Sequence, residues 1–453
     1  MSRQDSLFGR VFLYRRGRLA ALVLLAGFAL LLAATAWREQ ARPPQTTGQK
    51  VLYAVAAPLA GVRQLLFDGY QRMLPRMREA QPVALVGIDE ISLKQFGQWP
   101  WPRSQLSALI DSIARYDPAA IGLDIYMPEA DQTSPDRVAA RLGPEQAALA
   151  DALRQLPPHD QRLARSLRDA PTVLGAAGFN FATDNTRDGM RTTPMRVDGG
   201  DALTYLHRFP FVLTSLPELQ AAAHGQGLVS LRDEAVVRRI PLVAAVGIVP
   251  TPSLALEMLR VASGSDAIHV TVGAGGIRSV GVAELDVPTQ AGGDVWLHFA
   301  RAQNVADVRN ISAAELMAGK VSGDALQHKL VLIGLTGSGL NDRRVTPLGE
   351  SVAGIEIQAQ LLESLLDGHI LLRPWWMPRA ELAILFAVGL AMIVWVPAAL
   401  ARHDAQGVRR PRRVGFWVSM ICLLALGGGV VLFHTMGWLF DGAGMSIAFA
   451  AML

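Results

Sequence analysis

The chain of 453 residues has a single cysteine, Cys422, and its charged residues make up only 18% of the total. One cysteine excludes a disulfide framework and any zinc or iron–sulfur site that needs several thiolates. Soluble proteins carry about 25% charged residues, whereas this chain is 51% hydrophobic. That balance is typical of a membrane protein.

Sequence signatures of common enzymes are also missing. The chain contains no GxSxG motif, no HExxH motif, no GxxxxGK[ST] loop and no pair of histidines at metal-ligand spacing. We therefore expect no catalytic residues and no metal site within the chain, and the sequence identifies no cofactor.

Three apolar segments have about the 20 residues that a membrane-spanning helix needs, namely 19–36, 382–401 and 414–433. A cleaved signal peptide is the alternative for the first segment, although its 18-residue apolar run exceeds the usual core. A further apolar stretch, 443–453, is too short to cross a bilayer. We expect it to begin another transmembrane helix in a natural chain that continues.

Arginine clusters predict the orientation of these spans. The N-terminal segment 1–18 and the loop 402–413 each carry five arginines and one aspartate. Short basic segments stay in the cytoplasm. The segment 37–381, which follows the first span, is therefore expected on the extracytoplasmic side of the membrane. Residues 37–401 carry a net charge of −3, so the large domain has no basic stripe for nucleic acid.

The segment 37–381 shows alternating strands and helices, which predicts an α/β domain with a mainly parallel sheet. A β-hairpin region is expected between 227–233 and 237–247, and a second hairpin around the glycines 273–276. Residues 46–80 have helical periodicity, with a break near Pro58. That helix is either a stalk or dimer seam, or it packs on its own domain.

Carboxylates follow two of the predicted strands. Asp89 and Glu90 come directly after 83–88, and Asp124 lies near the end of 119–127. Ligand sites in parallel sheets lie beyond the carboxyl ends of strands, so we expect these residues to contact a ligand from neighbouring strand ends. The alternative for Asp89 is a helix N-cap.

Two further stretches add candidate ligand contacts. In QWPWPRS, prolines stiffen a segment that holds Trp99, Trp101 and Arg103, either as the rim of a pocket or as a brace in the core. Arg103 falls in the first turn of a helix, where Asp89 or Asp124 is expected to compensate its charge. The glycine-rich stretch 334–349 either approaches an anion or forms a tight turn; its polar candidates are Asn341, Asp342, Arg343 and Thr346.

Four segments in order resemble the second type of CHASE domain, an extracellular sensory module of bacteria. They are VALVGIDEISLKQFGQWPWPRS, AAIGLDIYMPEAD, KLVLIGLTGSGLNDRRVTPLG and GIEIQAQLLESLLDG. The resemblance covers about residues 60–373 and implies a multi-pass protein of the bacterial inner (plasma) membrane. It also implies a cytoplasmic output domain, such as a cyclase or kinase, which is not present in this chain. It transfers no ligand and no catalytic role.

We therefore expect a membrane-anchored sensor that detects an envelope signal and transmits it across the bilayer. Its partners would be a small molecule or an envelope protein, the lipid bilayer and a second copy in a homodimer. Two alternatives remain: a structural or assembly protein of the envelope, and an external metal-assisted hydrolase that uses Asp89 and Asp124.

Overall fold

The computed structural model describes residues 18–39, 46–78, 81–187, 189–231, 234–301, 309–337, 339–340, 343–404 and 411–452. The chain divides into two compact units: a terminal unit, Met1–Leu74 with Leu371–Leu453, and a central unit, Pro75–Ile370. The two units are treated separately below.

The α-helices of the described residues are α1 (Arg18–Glu39), α2 (Thr47–Val55), α3 (Ala57–Met73), α4 (Glu90–Phe96), α5 (Arg103–Ala114), α6 (Pro135–Arg141), α7 (Ala147–Arg154), α8 (His159–Asp169), α9 (Pro217–Ala222), α10 (Leu254–Ser263), α11 (Ala313–Met317), α12 (Gly354–Leu366), α13 (Met377–Asp404), α14 (Pro411–Met436) and α15 (Gly442–Ala451). The strands are β1 (Val83–Ile88), β2 (Ala120–Leu123), β3 (Thr172–Phe179), β4 (Thr186–Arg187), β5 (Met195–Asp198), β6 (Arg208–Phe209), β7 (Phe211–Leu213), β8 (Gly225–Leu228), β9 (Arg239–Pro241), β10 (Val243–Val246), β11 (Val249–Pro252), β12 (Ile268–Gly273), β13 (Gly276–Val282), β14 (Leu285–Pro288), β15 (Asp294–Leu297), β16 (Asn310–Ser312), β17 (Leu330–Leu335), β18 (Arg343–Val345), β19 (Ser351–Ala353) and β20 (Ile370–Leu371).

The central unit is a mixed α/β domain, as predicted. Its main sheet runs β16-β1-β17-β2-β3, and all these neighbours are parallel. The first half of β3 also pairs with β8 in parallel, and its last residues pair with β7 in the opposite direction. Smaller sheets are built from β14-β13-β12-β5 and from β11-β10-β6.

Both faces of the main sheet are buried, because helices cover each of them. Along β1, Val83 and Leu85 join the core on one side, together with α10 and α12. Ala84, Val86 and Ile88 join the core on the other side, with α5 and α8. Burial on both faces explains why these strands are continuous apolar runs rather than alternating ones.

The structure corrects one predicted hairpin. The described residues of 227–233 do not pair with 237–247. Instead β8 pairs with β3, and β10 turns back on β11 through Gly247. The hairpin of β12 and β13 around Gly273 and Gly276 is confirmed. The helices α7 and α8 are separated by Pro157 and Pro158, which disfavour helix continuation.

The terminal unit is helical. Three of its helices are long and apolar enough to cross a membrane, over Arg18–Arg38, Met377–Trp395 and Gly415–Met436. The helices α2 and α3 meet at a bend of 46° and would add a fourth span if the pair crosses as one. The predicted break near Pro58 is thus confirmed, since α2 ends at Val55.

Charged groups are buried in the terminal unit and are paired there. Arg373 donates from both terminal nitrogens to the two oxygens of Glu381, at 2.8 and 2.7 Å. The backbone N–H of Asp441 donates to the same carboxylate at 2.8 Å. This pairing joins the start of α13 to the turn between α14 and α15.

A second set of buried charges lies in the central unit, where three arginines meet three carboxylates. Glu363 of α12 accepts from Arg78 at 2.5 Å, from Arg309 at 2.8 Å and from Arg76 at 2.9 Å. Arg76 also reaches Asp367 at 2.7 Å, and Arg309 also binds Glu356. We call these six residues the arginine network. Its charges balance, and the side chains of Arg309 and Glu363 are fully buried.

Replacing Glu363 by Gln should destabilise the protein strongly. The substitution removes the anion that three arginines share and leaves buried positive charge without compensation, which costs about 3–5 kcal/mol. Thermal unfolding of the purified full chain in detergent micelles, followed by circular dichroism, measures the loss.

The matched control is Arg154→Ala, which breaks an ion pair with Asp151 at 2.7 Å whose side chains are 56% and 71% exposed. That change should alter stability by no more than about 0.5 kcal/mol. Equal unfolding midpoints for Glu363→Gln and Arg154→Ala would contradict the stabilising role assigned to the arginine network.

Candidate functional site

Asp89 serves as the N-cap of α4. Its Oδ1 accepts from the backbone N–H of Ser92 at 2.9 Å, from the Ser92 hydroxyl at 2.6 Å and from the Ser312 hydroxyl at 2.9 Å. The carboxylate therefore joins the start of α4 to the end of β16. This is the capping role left open by the sequence. Glu90, the next residue, is exposed in the first turn of α4.

Asp89 and Asp124 do not lie at neighbouring strand ends, contrary to the prediction. The strand β17, which comes much later in the sequence, lies between β1 and β2 in the sheet. The backbone N–H of Asp124 donates to the carbonyl of Ile333 on β17 at 2.9 Å. A two-carboxylate metal site loses its geometric basis, and no group of three or more His, Cys, Asp or Glu in the described ranges is placed to hold a metal ion.

The tryptophans of QWPWPRS lie in and beside the core. Trp101 is 2% exposed, and its Nε1–H donates to the carbonyl of Gly97 at 2.9 Å. Its ring meets Phe96 edge-on, with centroids 5.6 Å apart, and lies 6.2 Å from the half-buried Trp99. Trp101 therefore braces the core, whereas Trp99 remains partly accessible.

The glycine-rich stretch folds against β1. The backbone N–H groups of Thr336 and Gly337 both donate to the carbonyl of Ile88, at 3.2 and 3.1 Å. These two amides are therefore occupied and do not face an anion. The candidates Asn341 and Asp342 lie outside the described residues.

Arg343 and Thr346 have different surroundings. Arg343 is exposed, and its guanidinium donates to the hydroxyl and the carbonyl of Ser351 on the partner strand of its own hairpin. Thr346 is 3% exposed, and its hydroxyl has no hydrogen-bond partner among the described residues.

Arg103 has other partners than the predicted Asp89 and Asp124. Its backbone N–H donates to Asp131 Oδ2 at 2.7 Å, and its Nε lies 3.8 Å from Asp160 Oδ1. The same oxygen of Asp131 lies 3.0 Å from Nδ1 of His159. We call Arg103, Asp131, His159 and Asp160 the carboxyl-edge cluster, because all four follow strand ends or open helices at that edge of the sheet.

The cluster joins three segments that are distant in sequence. Asp131 Oδ1 accepts from the backbone N–H of Thr133 at 2.8 Å and from its hydroxyl at 2.7 Å, which shapes the loop after β2. Asp160 Oδ2 accepts from the backbone N–H of Asp131 at 3.0 Å, and so ties that loop to the first turn of α8. The D-x-T-S turn and an acidic residue opening a proline-led helix are sequence signals that point to these contacts.

The pKa values of the two carboxyl groups in the cluster are shifted in opposite directions. Burial alone raises the pKa of Asp131, but hydrogen bonds from Thr133, from the Arg103 backbone and from His159 outweigh it, and the pKa is lowered overall. Burial raises the pKa of Asp160, and the N–H of Asp131 and the charge of Arg103 offset this only in part. The cluster thus places a carboxyl group whose ionised form is favoured and one whose protonated form is favoured beside the partly accessible imidazole of His159.

The comparison with known families gives one match. The family described as CHASE2 domain matches residues 47–396 of this chain, which is more than half of its length. No curated protein and no solved structure matches the chain.

Asp131→Asn should lower the unfolding midpoint at pH 7 by an amount corresponding to about 1–3 kcal/mol, because charge-assisted hydrogen bonds are lost. The lowered pKa of Asp131 means that its ionised form stabilises the fold above its usual pKa of about 4. That contribution disappears as the pH falls through the folded-state pKa, so the deficit of the variant should shrink on acidification.

Asp160→Asn is the matched comparison. The raised pKa of Asp160 means that the wild-type protein gains stability as the pH falls through that pKa. The unfolding midpoint of Asp160→Asn should therefore fall relative to that of the wild type on acidification. Unfolding midpoints between about pH 3 and 7, the range in which carboxyl groups titrate, decide the matter. A deficit of Asp131→Asn that does not change with pH would count against the assignment.

Proposed function

This chain belongs to the CHASE2 family of extracellular sensory domains, and we propose that it is the sensor part of a membrane-anchored receptor. Residues 37–381 then detect an envelope signal outside the inner membrane of a bacterium. The apolar helices α1, α13 and α14 anchor the sensor and carry the signal inward, to a cytoplasmic output domain. A sensory family also fits a non-enzymatic role for this part of the protein.

The orientation rests on the arginines of the sequence. Five lie in 1–18 and five in 402–413, next to segments that are long and apolar enough to span a bilayer. With both clusters in the cytoplasm, the long segment between the first two spans is extracytoplasmic.

The observation that supports signal transmission is the arginine network. Arg76 comes three residues after the end of α3, and Asp367 comes ten residues before α13 begins. Both belong to one buried set of ion pairs around Glu363. A rearrangement of the central unit that displaces α12 therefore acts on both chain segments that lead to apolar helices. Such packed, paired elements switch between discrete arrangements rather than deform gradually.

We place the signal-contacting surface at the carboxyl edge of the main sheet. Arg103 and His159 offer a guanidinium and an imidazole there. Glu90 and Asp124 follow nearby strand ends, and Trp99 lies in the segment between α4 and α5. The signal is a small molecule or an envelope protein that binds one arrangement of this edge more tightly than another, since only differential affinity shifts the equilibrium.

We also propose that the receptor is a homodimer that associates through α2 and α3. Val51, Val55, Val62 and Leu65 are exposed apolar residues on these helices. Val51 and Val55 are four residues apart on α2, and Val62 and Leu65 are three residues apart on α3, so each pair lies on one face of its helix. A two-fold pair would let helix movements reach paired output domains.

The orientation is tested by labelling single cysteines in intact bacteria. Cys422→Ser removes the only native thiol, and Ser263→Cys or Gln406→Cys then supplies one, at the exposed end of α10 or in the basic segment. A membrane-impermeant maleimide should label position 263 in whole cells and position 406 only after permeabilisation. The reverse pattern would remove the receptor interpretation.

The dimer is tested in the same Cys422→Ser background. Leu65→Cys should form a disulfide-linked dimer on mild oxidation in membranes, because the seam brings the two copies of this residue together. Ser263→Cys is the control and should stay monomeric. If Leu65→Cys and Val55→Cys both remain monomeric, the proposed seam is wrong.

A further inference from the structure

A cavity of about 170 Å³ lies at the opposite, amino edge of the main sheet, where β8 begins. Its wall includes Arg191, Gln220, Gln226, Arg260 and Asp266, which come from three stretches of the central unit, around 191, 220–226 and 260–266. The wall is mainly polar. The volume is well below the roughly 300–1,000 Å³ of sites for drug-sized ligands, so the cavity suits a small metabolite.

Gln226 is a nearly buried amide in this wall. The residue is only 4% exposed, and its amide makes no hydrogen bond with another residue that the structure describes. It is not among the fully buried polar groups that lack a partner, so its amide retains access to the cavity that it lines. Beside it, Gln220 donates to the Thr214 hydroxyl at 3.0 Å and to the Ser215 carbonyl at 2.6 Å, which orients its amide.

Arg260 belongs to the wall and is already neutralised. Its Nε and Nη2 donate to Glu257 Oε1 at 3.0 and 2.9 Å, and the Glu257 side chain is fully buried. Two further N–H groups, one on Nη1 and one on Nη2, donate to the carbonyls of Ser265 and His224, both at 2.9 Å. Arg260 therefore holds the wall in place and has little capacity left for a ligand.

Arg191 and Asp266 are charged residues of the wall that have no ion-pair partner among the described residues. Arg191 makes one weak hydrogen bond, to the carbonyl of Ala221 at 3.5 Å, and no ion pair within the described ranges. Asp266 is exposed and likewise has no cationic partner among the residues described. One cavity thus presents an exposed cation and an exposed anion, neither with an ion-pair partner among the described residues, beside a nearly buried amide.

We propose that this cavity binds a free α-amino acid, with its carboxylate on Arg191, its ammonium group on Asp266 and a polar side chain at Gln226. Guanidinium and carboxylate form strong, oriented hydrogen bonds, and a zwitterion matches both charges at once. This site is separate from the carboxyl edge. Binding itself does not depend on the proposed receptor function, although its use as a signal does.

The test is isothermal titration calorimetry on the full chain in lipid nanodiscs. The twenty common L-amino acids are titrated singly, and two of them are paired with analogues that lack one charge. Asparagine is compared with β-alaninamide and succinamate, and serine with ethanolamine and 3-hydroxypropionate. At least one amino acid should bind. Its analogues that lack either the carboxylate or the ammonium group should bind at least about tenfold more weakly than the amino acid itself.

Substitutions locate the binding. Arg191→Gln, Asp266→Asn and Gln226→Leu should each weaken the amino acid by at least about tenfold. The matched controls Arg196→Gln and Asp286→Asn change exposed charges that do not line the cavity and should leave the affinity unchanged. The unfolding midpoint of each variant without ligand shows that it is folded.

The proposal is overturned if no amino acid binds, if single-charge analogues bind as tightly as the amino acid, or if the controls weaken binding as much as the cavity variants. The analogue series on the wild-type chain keeps the test decisive should a cavity variant not fold. Because the readout is binding to purified protein, its failure is distinct from a failure of the orientation experiment.

Discussion

Three arginines that converge on one buried carboxylate, Glu363, are the interaction on which the central unit depends. Removing charges from water carries a large desolvation penalty, which close pairing can offset only when every partner is present. Here Arg76, Arg78 and Arg309 approach Glu363 within 2.9 Å. The backbone of Arg76 also donates to the carbonyl of Phe299 at 3.0 Å. The ion pairs therefore fix the start of the domain against α12 and the end of β15.

That constraint bears on how a sensor of this family would work. A hydrophobic contact tolerates small sliding, whereas a shared carboxylate with three guanidinium partners has few alternative geometries. Movement of α12 would then be passed on as movement of the segments around Arg76 and Asp367. The terminal unit has its own paired charges in Arg373 and Glu381, at 2.7 Å, which hold the start of α13 in a similarly defined place.

The strands and the family could be predicted from the sequence because their signals are local. The apolar run 83–88, taken as a strand from the sequence, coincides with β1. Pairing is not local: nothing in 227–233 indicates that β8 would join β3, and nothing near β1 indicates that β17 would separate it from β2. The expected compensation of Arg103 by Asp89 or Asp124 was wrong for the same reason. His159 was missed because its partner, Asp131, lies 28 residues away and forms no recognisable motif with it.

The division of β3 between two partners has a consequence for how the domain can vary. Its first half is locked between β2 and β8, and only its last three residues pair with β7. The stretch between Phe179 and Gly225 adds β4 and β7 to the sheet and then returns beside β3 as β8. Its connecting loops, such as the one between β4 and β5 that carries Arg191, lie outside the pairings of β2, β3 and β8 and can therefore gain or lose length without altering the order of these three strands. The paired strands can thus stay constant while the connecting loops vary, so that new ligand preferences can arise by exchanging one loop region.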